Sequence, residues 1–173
     1  MPLTDDERTL AHELGRRCKA HGVRIATAES CTGGLVAGAI TAIAGSSEWF
    51  ERGYVTYSND AKREMLGVAL ALLEAHGAVS EPVACAMVEG ALARSGAGCA
   101  VAVTGVAGPG GGSATKPVGM VCFAWQVRGE APRAETRRLP GDRDAVRNGS
   151  VAIALQGLID RVPAVKQGSE SGG

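Results

Sequence analysis

Five consecutive residues carry a hydroxyl, a thiol, a second hydroxyl and two positions without a side chain: Ser30, Cys31, Thr32, Gly33 and Gly34. An apolar run that predicts a strand precedes them, and a run of small residues that predicts a helix follows. A nucleophile at a helix N-terminus gains from the positive potential of unpaired N–H groups, which can also hold an oxyanion. The residues alone leave an equal alternative, in which Ser30 or Thr32 caps the helix and Cys31 packs in the core.

A nucleophilic serine needs a base, and the histidines of this chain lie in no recognisable catalytic motif. Lys62 is the alternative, because a desolvated lysine with a lowered pKa can act as a general base. Tyr57 lies at the end of the preceding predicted strand, where its hydroxyl could orient the amine or relay a proton. A lysine at such a position, beside Arg63 on a predicted helix, is more commonly solvated than catalytic. The residue type therefore does not decide whether Lys62 is a base.

A glycine-rich segment, Gly105–Gly112, follows a predicted buried strand that ends at Thr104, which is where α/β proteins place ligand sites. It is not a P-loop, because no Gly-Lys-Ser/Thr follows, and it is not a dinucleotide loop, because a strand comes next. Ser113 and Lys116 match the SxxK spacing. We interpret that match as accidental, because the companion motifs are absent and Pro117 stops any helix that would align the two side chains.

Two arginines, Arg143 and Arg147, are four residues apart and therefore share one face of the last predicted helix. Two guanidinium groups on one face suit a phosphate or a carboxylate. Pairing with Asp142 and Asp144 at the surface is an equal alternative. If one arginine contacts a phosphate, we expect it to be Arg147.

Several of these segments occur in one order that resembles a known family. They are Ala28–Gly34, Gly45–Ser47, Tyr54–Asn59, Lys62, Gly77–Pro82, Thr104–Pro109, Lys116–Gly119 and Gly141–Arg143. Together they resemble the CinA C-terminal domain family, whose stand-alone members are nicotinamide-nucleotide amidohydrolases. The resemblance covers about Leu10–Asp160. It implies hydrolysis of the carboxamide of nicotinamide mononucleotide, giving nicotinate mononucleotide and ammonia, without a metal or an organic cofactor.

The resemblance also implies roles for individual residues. Ser30 is the nucleophile, Lys62 is the base and Tyr57 assists, with Cys31 as the alternative nucleophile. The substrate-binding residues that we expect are Thr32, Gly33, Gly34, Thr104, Gly105, Gly108, Arg143 and Arg147. One departure is Gly110–Gly112, where related loops often carry an acidic residue.

The order of predicted helices and strands along the chain indicates an α/β fold, namely a three-layer α/β/α sandwich with a mixed β-sheet in a single domain. Helices and strands alternate in the first part of the chain, and two adjacent strands come late. The predicted strands are Val23–Ala28, Tyr54–Tyr57, Cys99–Thr104, Val118–Val127 and Arg133–Leu139. The predicted helices run from Asp5 to about Ala20, Leu35–Ile43, from Asn59 onward, Ala69–His76, from Ser80 to about Arg94, and Asp142–Arg161. The domain covers residues 1–162, and we expect residues 163–173 to form a disordered tail.

Composition restricts the partners. The 173 residues include 18 Lys and Arg and 18 Asp and Glu, so the formal net charge is +0, and aromatic residues make up 3%. This balance argues against binding of nucleic acid or anionic membranes through bulk charge. The longest apolar stretch is too short to span a bilayer. We expect a small-molecule nucleotide as substrate and association into a homo-oligomer of unspecified size.

The five cysteines form no CxxC pair, and the N-terminal segment is acidic and polar rather than a signal peptide. Both features predict a cytoplasmic protein with reduced thiols. Two other functions remain open at this point. The chain could bind a nucleotide without turnover, with the serine acting only as a cap, or it could be a competence-associated interaction protein. Release of ammonia from nicotinamide mononucleotide separates an amidase from both.

Overall fold

The computed structural model describes residues 2–165 and contains one mixed sheet of five strands in the order β2-β1-β3-β4-β5. The strands are β1 (Ile25–Glu29), β2 (Phe50–Val55), β3 (Cys99–Gly105), β4 (Met120–Val127) and β5 (Arg133–Arg138). Strand β1 pairs in parallel with both β2 and β3, whereas β4 is antiparallel to both β3 and β5. The carboxyl ends of β1, β2 and β3 therefore meet at one edge of the sheet.

Helices cover both faces of this sheet, which confirms the predicted three-layer α/β/α arrangement. They are α1 (Asp5–His21), α2 (Leu35–Thr41), α3 (Asn59–Leu66), α4 (Leu70–His76), α5 (Glu81–Ala93) and α6 (Arg143–Arg161), with 3-10 turns at Ser46–Glu48 and Val162–Ala164. Helices α1, α2 and α6 pack in one apolar cluster, and α3, α4 and α5 pack in the other.

The alternation of side chains along the central strands separates the two clusters. In β3, Val101 and Val103 face the cluster of α1, α2 and α6, while Ala100 and Ala102 face the cluster of α5. Successive residues of a strand point to opposite faces, so both faces of this buried strand are apolar. The small alanines leave room for α5 to pack closely on the sheet.

Capping residues set the helix starts as the sequence predicts. Thr4 and Glu7 form a capping box, in which each side chain accepts a hydrogen bond from the other residue's backbone N–H. Ser58 caps α3 and Ser80 caps α5, each through its hydroxyl oxygen. The start of α3 also sets the position of Lys62, which lies one turn into this helix.

The second strand differs from its prediction. It begins at Phe50 and ends at Val55, so the predicted strand Tyr54–Tyr57 starts four residues too late and ends two residues too late. Strand β2 is at the edge of the sheet, and its charged Glu51 and Arg52 hide the apolar alternation that marks a buried strand. As a result, Tyr57 lies in the loop after the strand.

The end of the chain is described only in part. Residues 162–164 form a 3-10 turn, whereas residues 166–173 of the predicted tail lie outside the described residues. Between residues 2 and 165, no helix combines the length and the apolar character needed to cross a membrane. The five cysteines are free thiols, and all but Cys85 are buried.

Candidate active site

A cavity of about 280 Å³ opens at the edge where β1 and β3 end. It is lined by Ser30, Cys31, Tyr57, Asn59, Lys62, Ala78, Val79, Thr104, Gly105, Val106, Ala107, Gly108, Gly110, Gly111 and Arg143. Sites at the carboxyl ends of parallel strands are typical of α/β folds, and this volume suits a small ligand. Most of the predicted site residues therefore lie around one cavity, although they are far apart in sequence.

Ser30 and Lys62 are in direct contact at the base of this cavity. The Nζ of Lys62 lies 2.9 Å from the Oγ of Ser30. Ser30 is the first residue after β1, and Lys62 is in the first turn of α3, whose start is fixed by the Ser58 cap. Their side chains are almost completely buried, with 8% and 1% of their surface exposed. The interpretation of Lys62 as a solvated helix lysine is therefore wrong.

The amine of Lys62 has two further partners, both backbone carbonyl oxygens. Nζ donates to Thr56 at 2.9 Å and to Tyr57 at 3.3 Å. No Asp or Glu between residues 2 and 165 forms a salt bridge with this amine. Burial without a counter-ion lowers the pKa of Lys62 from its ordinary value, because it penalises the charged form. The site therefore shifts the amine beside the serine hydroxyl toward its neutral form.

Cys31 also lines the cavity, but its environment suppresses the thiolate. Burial raises the pKa of the Cys31 thiol to about 11. The thiolate is the nucleophilic form of cysteine, so a raised pKa leaves little of it near neutral pH. Among the two candidate nucleophiles, only Ser30 is in contact with a base.

Tyr57 approaches Lys62 through its backbone rather than through its phenol. Its carbonyl oxygen accepts from Nζ, whereas 63% of the residue is exposed. The phenol oxygen lies 3.5 Å from Nη2 of Arg143. The structure thus places the Tyr57 side chain at the rim of the cavity, beside an arginine.

The turn between β1 and α2 is held by a residue that the sequence interpretation missed. Glu29 is buried, and its Oε1 accepts from the Thr32 hydroxyl at 2.6 Å and from the Val36 N–H at 2.8 Å. Its Oε2 accepts from the Ala37 N–H at 3.1 Å. Glu29 is the last residue of β1 and lies six positions before the start of α2, so residue spacing gave no signal for this contact, although unpaired N–H groups at a helix start attract a carboxylate.

Gly33 and Gly34 make the turn geometrically possible, with φ angles of 56° and 104°. The Gly33 N–H donates to the Ser30 carbonyl at 3.0 Å, so it is not available to a ligand. Between residues 2 and 165, no acceptor takes the N–H of Thr32. The Gly33 N–H is thus removed from the predicted Thr32–Gly34 set, and Thr32 itself is fully buried and is not among the residues that line the cavity.

The two predicted arginines contact different loops at this edge. Nη1 of Arg143 donates to the Gly108 carbonyl at 2.8 Å, and Arg143 lines the cavity. Arg147 instead donates to the carbonyls of Cys31 and Thr32, at 3.2 and 3.4 Å, and is not among the lining residues. Of the two guanidinium groups, the geometry places Arg143 beside the ligand space and Arg147 against the backbone of the turn.

The glycine-rich segment forms the opposite wall. The Thr104 hydroxyl is buried and donates to the Ala78 carbonyl at 2.9 Å, which ties the end of β3 to the loop before α5. At Gly105, a Cβ atom would lie 2.9 Å from the Met120 carbonyl oxygen, so only glycine fits without a shift. Gly108 has a φ of 83°, and the following bond to Pro109 is cis. Within residues 2–165, no cluster of three His, Cys, Asp or Glu side chains could hold a metal ion.

These features define a three-layer α/β protein with a buried serine–lysine pair at the carboxyl edge of its parallel strands. A sequence model of the CinA C-terminal domain matches residues 7–162. The chain therefore belongs to the CinA C-terminal domain family, which confirms the resemblance noted in the sequence.

Relatives include short and long proteins. The chain is 55% identical over 160 residues to the "Nicotinamide-nucleotide amidohydrolase PncC" of Escherichia coli K12, covering 90% of this chain and 95% of that protein. The protein of the same name from Pseudomonas putida is 54% identical over 157 residues, with 90% and 96% covered. A competence-damage inducible protein of Symbiobacterium thermophilum is 56% identical over 158 residues, which are 87% of this chain. The chain spans only 37% of that longer relative.

Solved structures share the fold. A competence/damage inducible protein, CihA, from Agrobacterium tumefaciens superimposes with a TM-score of 0.90 at 48% identity, covering 92% of this chain and 98% of that one. A CinA superfamily protein from Klebsiella pneumoniae gives 0.87 at 39% identity, with 91% and 98% covered. The single-domain α/β fold with a mixed sheet is therefore common to both.

Proposed function

We propose that this chain is a nicotinamide-nucleotide amidohydrolase, which hydrolyses the carboxamide of nicotinamide mononucleotide to nicotinate mononucleotide and ammonia. The names of the relatives from Escherichia coli and Pseudomonas putida support the reaction. The observation that carries the proposal is the 2.9 Å contact between the buried Nζ of Lys62 and the Oγ of Ser30. A nucleotide-binding module without turnover has no need of a buried amine on a serine.

The contacts of Lys62 support its role as the base. A neutral amine has two N–H groups, which match the Thr56 and Tyr57 carbonyls, and one lone pair, which is then left for the Ser30 hydroxyl proton. When Nζ takes that proton, its third N–H faces the Ser30 oxygen. Each protonation state thus keeps the same partners, so the proton moves without a rearrangement of the site.

The reaction then follows in two stages. The Oγ of Ser30 attacks the amide carbon while its proton passes to Lys62, which gives a tetrahedral intermediate. This intermediate collapses as the C–N bond breaks and Lys62 returns the proton to the leaving nitrogen, so ammonia departs. Water attacks the resulting ester and gives a proton to Lys62; the bond from the acyl carbon to the Ser30 Oγ then breaks, Lys62 returns the proton to that oxygen, and the acid is released. The protein side chains supply every proton transfer in this scheme.

Substrate contacts come from the turn and from the opposite wall. We assign the developing oxyanion to backbone N–H groups of the turn after Ser30, since such groups are effective when they are fixed in place before the reaction. Arg143 lines the cavity and is the guanidinium that we assign to the phosphate. The glycine-rich segment from Gly105 to Gly111 surrounds the remaining ligand space.

We further propose that the protein works in the cytoplasm and self-associates. Free, mostly buried thiols are compatible with a reducing compartment. Among residues 2–165, the large apolar side chains that are more than a third exposed are Val55, Tyr57, Met65 and Leu70, and we assign the contact with a second copy to this exposed apolar surface. Light scattering coupled to gel filtration tests this part: a mass of one chain at all concentrations contradicts self-association.

The test of the proposed reaction is ammonia release from a panel of nicotinamide mononucleotide, nicotinamide riboside and free nicotinamide. We expect the mononucleotide to be hydrolysed fastest, with equimolar ammonia and nicotinate mononucleotide as products. The Ser30→Ala variant is the matched control for a contaminating amidase. Absence of ammonia from every compound would refute the amidase and leave a binding module.

A further inference from the structure

Glu29 directly precedes Ser30 and is almost completely buried, with 1% of the residue exposed. It forms no salt bridge with any residue between 2 and 165. Its three hydrogen-bond donors are the hydroxyl of Thr32 and the N–H groups of Val36 and Ala37. A buried carboxylate needs such donors, because an unpaired buried charge is costly.

These contacts close a ring around the nucleophile. Glu29 is the last residue of β1, Ser30 follows it, and Thr32 returns to Glu29 through its side chain. The same carboxylate accepts hydrogen bonds from two backbone N–H groups in the first turn of α2. The strand end, the nucleophile turn and the helix are thereby held as one unit, while Arg147 holds the carbonyls of the turn from outside.

We propose that Glu29 and Thr32 are positioning residues, which hold the Ser30 hydroxyl in line with Lys62. This inference rests on the proposed function. The Thr32 side chain then serves the enzyme through Glu29 and not through the substrate, because its hydroxyl is buried and is already donated at 2.6 Å. Positioning of this kind changes the rate of the chemical step rather than substrate affinity.

A carboxylate is required for chemical reasons. Two donors meet Oε1 and a third meets Oε2, so both oxygens must accept. A Glu29→Gln variant keeps one accepting oxygen, but its NH2 group then faces either the Ala37 N–H or the other two donors. Charge-assisted hydrogen bonds are also the stronger kind, so the amide holds the turn less firmly.

The experiment compares two substitutions at Thr32 with a matched one at Thr41, the last residue of α2. Thr32→Val removes the hydroxyl at nearly constant volume, Thr32→Ser keeps it, and Thr41→Val removes a hydroxyl that bonds only to carbonyls of α2. Each variant is assayed for kcat and KM with nicotinamide mononucleotide. Each is also treated with a fluorophosphonate, and the rate at which the Ser30 oxygen displaces fluoride from phosphorus is followed by mass spectrometry.

For Thr32→Val we expect kcat and the labelling rate to fall together by about tenfold or more, with KM within about threefold of wild type. Thr41→Val should stay within about twofold in both measurements, and Thr32→Ser should restore most of what Thr32→Val loses. Glu29→Gln should lose at least as much as Thr32→Val. If Glu29→Gln does not fold, the two Thr32 variants decide the question.

Two results would overturn the inference. One is Thr32→Val with unchanged kcat and labelling. The other is a raised KM at unchanged kcat, which would make the Thr32 hydroxyl a substrate contact. If wild type releases no ammonia while labelling of Ser30 still slows in Thr32→Val, the positioning role stands and the proposed function fails.

Discussion

Two serine–lysine pairs that the sequence singles out lie within residues 2–165, and they differ in geometry. Ser30 and Lys62 are 32 residues apart in sequence, yet their side chains meet at 2.9 Å and both are buried. Ser113 and Lys116 are three residues apart and match a known catalytic spacing. In that pair the serine oxygen accepts from the backbone N–H of Lys116, and the Lys116 amine donates to the His76 carbonyl instead.

The difference lies in the backbone around each pair. Lys62 lies on a capped helix and its side chain is buried, which lowers the pKa of its amine. The SxxK spacing works only when a helix aligns both side chains, and residues 113–116 form a turn before Pro117. The interpretation of that match as accidental is confirmed. Burial and side-chain direction, not closeness in sequence, thus bring a serine hydroxyl and a lysine amine into contact in this fold.

Removing the serine from each pair gives the largest contrast. Ser30→Ala should lower kcat by several orders of magnitude, because loss of a nucleophile removes the covalent route. Ser113→Ala should keep the wild-type rate, since this exposed hydroxyl lies in a surface turn. Ammonia release and thermal unfolding of both variants check this. Equal loss in the two variants would mean that the buried pair has no special role.

Exchanging each lysine for arginine sharpens the contrast. Lys62→Arg should be nearly as inactive as Lys62→Ala, because a guanidinium keeps its charge but does not give up its proton. Lys116→Arg keeps the donor toward the His76 carbonyl and should retain most of the activity. The measurement is kcat/KM for all three variants. If the Lys62→Arg enzyme were active, Lys62 would act only as a positive charge and not as a base.

The pH dependence follows from the lowered pKa of Lys62. Only the neutral amine accepts the serine proton, so kcat/KM should rise with pH and level off above this pKa. The midpoint should lie below about 10.4, the ordinary value for lysine. A profile of kcat/KM against pH measures it, with thermal unfolding at each pH as the control. A rate that falls as the amine loses its proton contradicts the role of base.

The two arginines give the smallest expected effect. Arg143→Ala should raise KM for the mononucleotide by about tenfold, since a charge-assisted contact contributes about 1.5–3 kcal/mol. It should also remove most of the preference over the riboside. Arg147→Ala should leave that preference intact, because its guanidinium holds the turn from outside the cavity. Values of kcat/KM for both substrates decide between them, and loss of the preference only in Arg147→Ala would reverse the assignment.

Local sequence signals predicted most elements of the fold. The Thr4 and Glu7 capping box, the Ser58 and Ser80 caps and the apolar run of β3 each depend on residues close in sequence. Strand β2 was the exception. Its start at Phe50 depends on pairing with β1 at the edge of the sheet. The charged residues that follow Phe50 give no apolar alternation from which this pairing could be predicted.

The site was only partly accessible from sequence. Residue types suggested Ser30 and Lys62 separately, and the family resemblance favoured them as a pair, because no spacing rule joins two residues in different elements. The carbonyls of Thr56 and Tyr57 are backbone groups and leave no residue-type signal. Spacing put both arginines on one face of α6, but their different loop contacts depend on how α6 packs against the sheet.

The most direct test of the central claim is to locate the acyl group during turnover. The enzyme is mixed with nicotinamide mononucleotide, quenched in acid at successive times and digested, and the peptide with residues 30 and 31 is mapped by mass spectrometry. The account predicts an ester on Ser30 in wild type and in Cys31→Ala, and none in Ser30→Ala. A label that survives in Ser30→Ala and disappears in Cys31→Ala would contradict it and make the thiol the nucleophile.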